Sequence, residues 1–134
     1  MTDLATLINH QIRLAARPVG LPTRDNWSFT TEAVAAPSPA GIVVKTLSLT
    51  LDPAMRGWMN EGKSYIPPVG IGEVMRAGGI GKVIASDNAK FAIGDVVTAG
   101  LGVQEYASVA EPEIKRAGVA KIDLRAGSIG QWLN

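Results

Sequence analysis

GIVVKTLSLTLDPAMRGWM, residues 41–59, decides how the rest of the chain is read. Residues 41–51 form the clearest strand, with Val43, Lys45 and Leu47 on one face and Val44, Thr46 and Ser48 on the other. The next residues carry a helix-start signal, because Asp52 can cap backbone N–H groups and Pro53 suits the first helical position. Gly57 and the later IPPVG (66–70) limit that helix to about one or two turns. A strand running straight into a short helical turn points away from long helices.

Working outward, HQIRLAA (10–16) alternates polar and apolar side chains as a half-buried strand does. GLPTRDN (20–26) reads as a loop, and WSFTTEAVAA (27–36) as a strand that stops at PSPAG (37–41). Downstream, GKVIASD (81–87), DVVTAGLG (95–102), VQEYASVA (103–110) and RAGVAKID (116–123) are short β-like runs separated by turns such as SDNAKFAIGD (86–95). Many short strands with turn signals every ten residues or so predict a mainly β protein, a barrel or sandwich with short helical turns.

A chain of 134 residues fits one domain. Its composition, 46% hydrophobic and 19% charged, is apolar against the roughly 25% charged average, so some apolar surface is expected to meet a partner, and self-association into a homo-oligomer fits the same surface. A net charge of +1 builds no field for phosphate backbones, which argues against nucleic acid. The N-terminal MTDLATLINHQIRLAARPVG lacks a charged segment followed by a long apolar run, and no stretch of about 18 apolar residues occurs, so no membrane span is expected. With no cysteine to report on redox compartment, a cytoplasmic location is the default expectation. At the other end, Ile129, Trp132 and Leu133 begin an apolar segment without a stop signal, which reads as a chain that continues.

Much chemistry is excluded by residue inventory. Zinc needs three or four ligands from Cys, His, Asp or Glu, and the chain has one histidine, His10, and no cysteine. A Ser-His-Asp triad would have to use the same histidine, and there is no G-x-S-x-G elbow. The glycine clusters fail the dinucleotide pattern G-x-G-x-x-G: Gly70-Ile71-Gly72 leads to Met75, and Gly79-Ile80-Gly81 to Ile84. They read instead as tight turns and places of close backbone approach. Of the acids, Glu61, Glu73 and Glu105 stand at no spacing that pairs them, and Asp95 reads as a turn residue entering a strand. These residues alone make no self-sufficient active site.

The order DP-x-MR-x-x-M (52–59), SY-x-PP (64–68), a Gly-rich strand, GD-x-V (94–97) and QEYA (104–107) resembles the N-terminal domain of the zinc-independent medium-chain dehydrogenase/reductases. The nearest branch is that of leukotriene hydroxydehydrogenase, prostaglandin reductase and the alkenal double-bond reductases. The resemblance implies a GroES-like, partly open β-barrel over residues 1–134 and a separate C-terminal Rossmann domain that binds NADPH. It implies hydride transfer to the β-carbon of an α,β-unsaturated ketone or aldehyde, without a metal: where the related zinc enzymes carry ligands, this chain has LTLDPAMR and GIGEVM. It puts Pro53 and Ala54 against the nicotinamide and Tyr65, Gly78 and Gly79 on the substrate side, and leaves the catalytic proton donor outside these residues. Plant members commonly read DPYMR, so Ala54 replaces a tyrosine, and Val103 stands where the branch often has Trp. A quinone reductase of the same superfamily and a non-catalytic, protein-binding barrel of co-chaperonin type are the alternatives.

Single residues keep two readings each. Arg56 either binds a cofactor phosphate or pins its own turn through backbone carbonyls or a carboxylate. Tyr65, ahead of the stiff Ile66-Pro67-Pro68, either edges a cleft or packs. Met55, Met59 and Met75 are either core filler or the walls of an adaptable pocket. Trp58 and Trp132 are expected to be buried against a further domain, and Glu105 to satisfy local hydrogen bonds.

Overall fold

A computed structural model describes residues 4–62, 66–117 and 119–123. The elements are β1 (Ile8–Leu14), β2 (Trp27–Ala33), β3 (Ile42–Leu49), α1 (Ala54–Trp58), β4 (Gly78–Ser86), β5 (Val96–Gly100), β6 (Tyr106–Val109), α2 (Glu111–Ala117) and β7 (Ala120–Lys121). Five strands make one antiparallel sheet in the order β6-β3-β4-β5-β7, and β1 and β2 form a separate antiparallel hairpin. The hairpin leans on the sheet through two isolated bridges, Gln11 to Gln104 and Arg13 to Val74. This is the mainly β, partly open barrel that the sequence predicts, with a gap between hairpin and sheet in place of a complete seam. Among the described residues no helix is long and apolar enough to cross a membrane.

β3 departs from simple alternation. Ile42, Val43 and Val44 are all fully buried, and the pairing with β4 slips twice, between Val43 and Val44 and between Thr46 and Ser48. The second slip leaves Leu47 out of register and exposed. A bulge of this kind bends a strand and re-aims its side chains, so the predicted face of Val43, Lys45 and Leu47 does not persist along the strand. The bend is possible because β4 opposes it with glycines. A Cβ on Gly81 would run into the Val44 side chain and lie 2.6 Å from the Lys45 carbonyl oxygen; one on Gly79 would meet the Ser48 carbonyl and Leu49.

The core has two parts. Ile42, Val44, Val83, Phe91, Val97, Leu101, Ala107 and Val109 fill the large sheet, while Leu14, Met59, Val69 and Met75 join the hairpin to the turn after β3. The strand predicted over 116–123 is corrected: Glu111–Ala117 is helical and only Ala120–Lys121 pairs. The signal lay just upstream, in Pro112 near the helix start, acids in the first turn, Lys115 and Arg116 in the last, and a Glu111–Lys115 ion pair at 2.6 Å.

β1 corrects the alternation in a more instructive way. Its buried residues include Asn9 and Gln11, while Ile8 and His10 are exposed. The gap beside the sheet leaves polar groups that need partners, and the amides supply them. Asn9 Oδ1 accepts the backbone N–H of Glu105 (3.1 Å) and Tyr106 (3.0 Å), and its Nδ2 donates to Gln104 Oε1 (3.0 Å). Gln104 Nε2 donates to the Leu101 carbonyl at 2.8 Å, and Gln11 Nε2 to Glu32 Oε1 at 2.8 Å. One residue further out, Glu105 Oε1 accepts the His10 backbone N–H at 3.0 Å and contacts His10 Nδ1, which meets the expectation that Glu105 satisfies local hydrogen bonds. The His10 side-chain bond first, and its backbone N–H second, hold the Glu105 carboxyl below the ordinary glutamate range.

Two measurements check this account. Gly81→Ala is expected to destabilise the chain by about 1–3 kcal/mol, the usual range for over-packing, whereas Gly100→Ala, whose Cβ would meet nothing within 4 Å, changes urea stability little. A carboxyl depressed in the folded state stabilises the fold above its ordinary pKa, and that contribution is lost as pH falls through the lower folded value. Glu105→Gln therefore lowers stability at neutral pH, by at most about 1 kcal/mol for so exposed a pair, and flattens the loss on acidification. Denaturation midpoints that move in parallel for both proteins across the acid range would refute the assignment.

Candidate functional site

An apolar opening lies where the gap between hairpin and sheet meets the turn after β3. It is a cleft of about 470 Å³ walled by Ile12, Trp27 and Phe29 of the hairpin, Leu51 to Pro53, Met55, Arg56 and Met59 of the turn and α1, and Met75 and Val103, with Pro22 at its rim. Phe29 and Leu51 remain 56% and 84% exposed, so the cleft presents aromatic and aliphatic surface to whatever enters.

The turn that carries Pro53 is built locally. Asp52 Oδ1 accepts the Ala54 N–H at 2.8 Å, the Asp52 carbonyl accepts the Met55 N–H at 2.9 Å, and Pro53 takes helical dihedrals, as the sequence predicts. Arg56 fixes the turn against the neighbouring loop. Its Nε and Nη2 donate to the carbonyls of Gly20 (3.0 Å) and Pro18 (3.2 Å), and Nη1 donates to Asn60 Oδ1 (2.6 Å). Of its two readings, the structural one holds within the chain.

The three methionines turn out to serve in both ways: Met59 and Met75 are buried in the smaller core, and all three line the cleft. Trp58 is half-buried against that same core, and the Arg76 guanidinium lies 5.4 Å from its ring centre. Part of its surface is thus covered inside this domain, where a cation stacks on it.

The predicted site residues separate into groups. Pro53 is in the cleft wall; Ala54, beside it, opens α1 with an exposed side chain. Gly78 lies at the start of β4, where its carbonyl accepts both the backbone N–H (2.9 Å) and the hydroxyl (3.1 Å) of Thr50, three residues ahead of Pro53. Gly79 is buried beneath the bend of β3. Neither glycine is among the residues that wall the cleft. Tyr65, Lys63, and the terminal Ile129, Trp132 and Leu133 lie outside the described residues. The contributions of Ile12, Trp27, Phe29 and Leu51 were not foreseen, because hairpin and turn are distant in sequence and only the gap brings them together.

A second cavity of about 460 Å³ adjoins the first and shares Ile12, Phe29 and Val103 with it. His10, Gln11, Thr30, Thr31, Thr46, Leu49, Gln104 and Glu105 complete its lining, and most of the surface they turn toward it is carbon. Among the described residues no group of three or more His, Asp or Glu side chains is placed to hold a metal ion. Asp95 accepts the Ala92 N–H at 2.8 Å and faces Lys121 at 3.4 Å, the turn role read from the sequence. The Ala92 backbone bond first, with lesser help from Lys121, lowers its pKa from the ordinary aspartate value.

Three comparisons bear on this geometry. The NADPH-dependent curcumin reductase of Escherichia coli is 39% identical over 98 residues, 73% of this chain and 28% of that protein. The NADP(+)-dependent 2-alkenal reductase of Nicotiana tabacum is 32% identical over 75% of this chain and 31% of its own length. The crystal structure of CurA from Vibrio vulnificus superposes with a TM-score of 0.72 at 46% identity, covering 75% of this chain and 30% of that one. The chain thus spans under a third of the length of each. A family model described as the N-terminal domain of oxidoreductase matches residues 10–117, and the chain belongs to that family, the N-terminal domain of the medium-chain dehydrogenase/reductases.

Proposed function

We propose that this domain is the substrate-side half of an NADPH-dependent, metal-free reductase of the carbon–carbon double bond in α,β-unsaturated ketones or aldehydes. The observation that carries the reading is the apolar cleft with Pro53 in its wall, in a chain whose relatives include a 2-alkenal reductase and a curcumin reductase. An apolar cleft of this size with a few polar groups at its edge suits a small conjugated carbonyl compound. A metal-free route agrees with the donor set, since the chain has no cysteine and its one histidine is engaged with Glu105.

The fit to the cofactor is partial, and that itself divides the labour. At the start of α1, Pro53 has no N–H and the Ala54 N–H already bonds Asp52, so these residues offer a nicotinamide ring a wall and offer phosphates nothing. NADPH, held mainly by a separate cofactor domain, would when bound supply the hydride that the substrate's β-carbon accepts. Pro53 and Ala54 set the nicotinamide side. Gly78, tied to Thr50, stands toward the substrate side; Gly79 backs it by admitting the bend of β3, and Tyr65 is assigned to that side from the resemblance alone. Met55, Met59, Met75 and Trp27 exclude water from the reacting carbon, which strengthens any hydrogen bond to the oxygen where negative charge develops. The donor of that bond is assigned to the cofactor domain. A cytoplasmic location accompanies this reading as the expected setting for an NADPH-dependent reductase.

The test is a chimera in which this chain replaces the matched N-terminal segment of V. vulnificus CurA. Its NADPH consumption is expected to be greater with an enone than with a quinone, with the saturated ketone as product. The isolated chain is expected to bind NADPH no more tightly than millimolar in a calorimetric titration. Micromolar binding by the isolated chain, or preference for the quinone in the chimera, would overturn the proposal.

A further inference from the structure

β2 pairs with β1 alone, and the register says which of its backbone groups that pairing uses. Partners follow one another without a slip, from Leu14 opposite Trp27 to Ile8 opposite Ala33. Just beyond the two ends, the Ala15 N–H donates to the Asn26 carbonyl at 2.8 Å and the Val34 N–H to the Leu7 carbonyl at 3.3 Å. Bonded pairs alternate with unbonded ones in an antiparallel ladder, so Ser28, Thr30 and Glu32 bond to β1, while Phe29, Thr31 and Ala33 turn their N–H and C=O groups away from it. β1 keeps the same parity on its other side, where outward groups of His10, Ile12 and Leu14 bond to Glu105, Val103 and Glu73. For Phe29, Thr31 and Ala33 no such partner exists among the described residues, and all three are exposed.

Free strand edges are usually blunted by proline, lysine, a bulge or shortness. β6 and β7, at the edges of the larger sheet, are short, spanning Tyr106–Val109 and Ala120–Lys121. β2 runs for seven residues, WSFTTEA, with no proline, lysine or bulge. Its one charge, Glu32, is held by Gln11 Nε2 at 2.8 Å and faces Arg13 Nη2 at 3.6 Å.

This edge is also complementary to itself. Laid antiparallel on a second copy with Thr31 against Thr31, it sets Phe29 against Ala33 and bonds the outward groups of all three residues. Glu32 then faces Thr30, so no like charges stand directly opposite each other. A register shifted toward Trp27 would waste a donor, because the Trp27 N–H is already bonded to the Arg24 carbonyl. With Thr31 on the axis, Phe29, 56% exposed, lies beside the small Ala33 side chain, whose neighbour on β1 is Ile8, 49% exposed. Two large apolar side chains thereby lose contact with water.

We propose that β2 is the contact of a symmetric dimer, in which a second copy of this chain adds its own β2 and joins the two hairpins into one continuous sheet. The inference is independent of the enone reading. Two strand edges cover less than the roughly 1,600 Å² of a standard interface, so the dimer is a weak one, with a dissociation constant on the order of 100 μM.

Sedimentation velocity of the 134-residue chain from about 10 to about 500 μM reads the mass, and amide hydrogen exchange at both ends of that range reads the register. The mass is expected to climb from 14.0 kDa toward twice that value. The Phe29, Thr31 and Ala33 amides are expected to exchange about threefold more slowly at the high concentration, while Ser28, Thr30 and Glu32, already bonded to β1, keep one rate. Thr31→Lys sets two ammonium groups opposite each other on the axis and leaves the backbone intact; it is expected to raise the dissociation constant by about fivefold or more. A mass that stays at the monomer value throughout would overturn the proposal, and so would association that leaves the Phe29, Thr31 and Ala33 amides unprotected. The exchange pattern of the unmodified chain decides the matter even if Thr31→Lys does not fold.

Discussion

The structure depends on how a β-hairpin is held beside a sheet that it does not join edge to edge. Asn9, Gln11 and Gln104 provide the answer, two buried amides and a half-buried one whose hydrogen bonds run from β1 across to residues 101–106. An apolar residue at position 9 would leave the Tyr106 N–H without this acceptor, while the Glu105 N–H would keep the His10 carbonyl at 3.1 Å, and a donor left unpaired away from water costs about 1–3 kcal/mol. A fully satisfied network of this kind rigidifies what it joins. The hairpin is therefore fixed at a set distance from β3, and the space left over is the cleft.

This constraint links the two cavities. β1 carries Ile12 into both, and His10 and Gln11 into the second. The backbone bonds from Ile12 N–H to the Val103 carbonyl (3.0 Å) and from Met75 N–H to the Ile12 carbonyl (2.9 Å) lock all three residues together. On the other side Arg56 secures α1 through carbonyls of the Pro18–Gly20 loop. Neither wall of the cleft is a free loop, and a preorganised wall is what differential stabilisation of a transition state requires.

The sequence exposed the strands and the DPAMR turn because both are local: β-branched runs bounded by Gly and Pro, and an acid followed by proline, report on their own backbone. It also exposed the family, through motifs that recur in order. It misled wherever a distant partner decides the outcome. Alternation in HQIRLAA (10–16) puts polar residues outside, but the gap beside β1 draws Gln11 in, together with Asn9 just ahead of that run. The alternation of β3 fails because the glycines of β4, some thirty residues on, let it bend. The helix at Glu111–Ala117 is short, and the small, β-prone residues that follow it mask its charge pattern. The cleft itself is a property of the gap and has no signature in any single segment.

The close fit of Gly81 under Val44 and Leu101 also limits how this domain can diverge. A methyl group at 81 would need space not only from Val44 and Leu101 but also from the Lys45 carbonyl oxygen, 2.6 Å from where it would stand, and no exchange of side chains can release a backbone atom. Trimming Val44 or Leu101 would cost packing in the larger core and still leave that clash in place. Lineages that keep the bend should therefore keep glycine at 81.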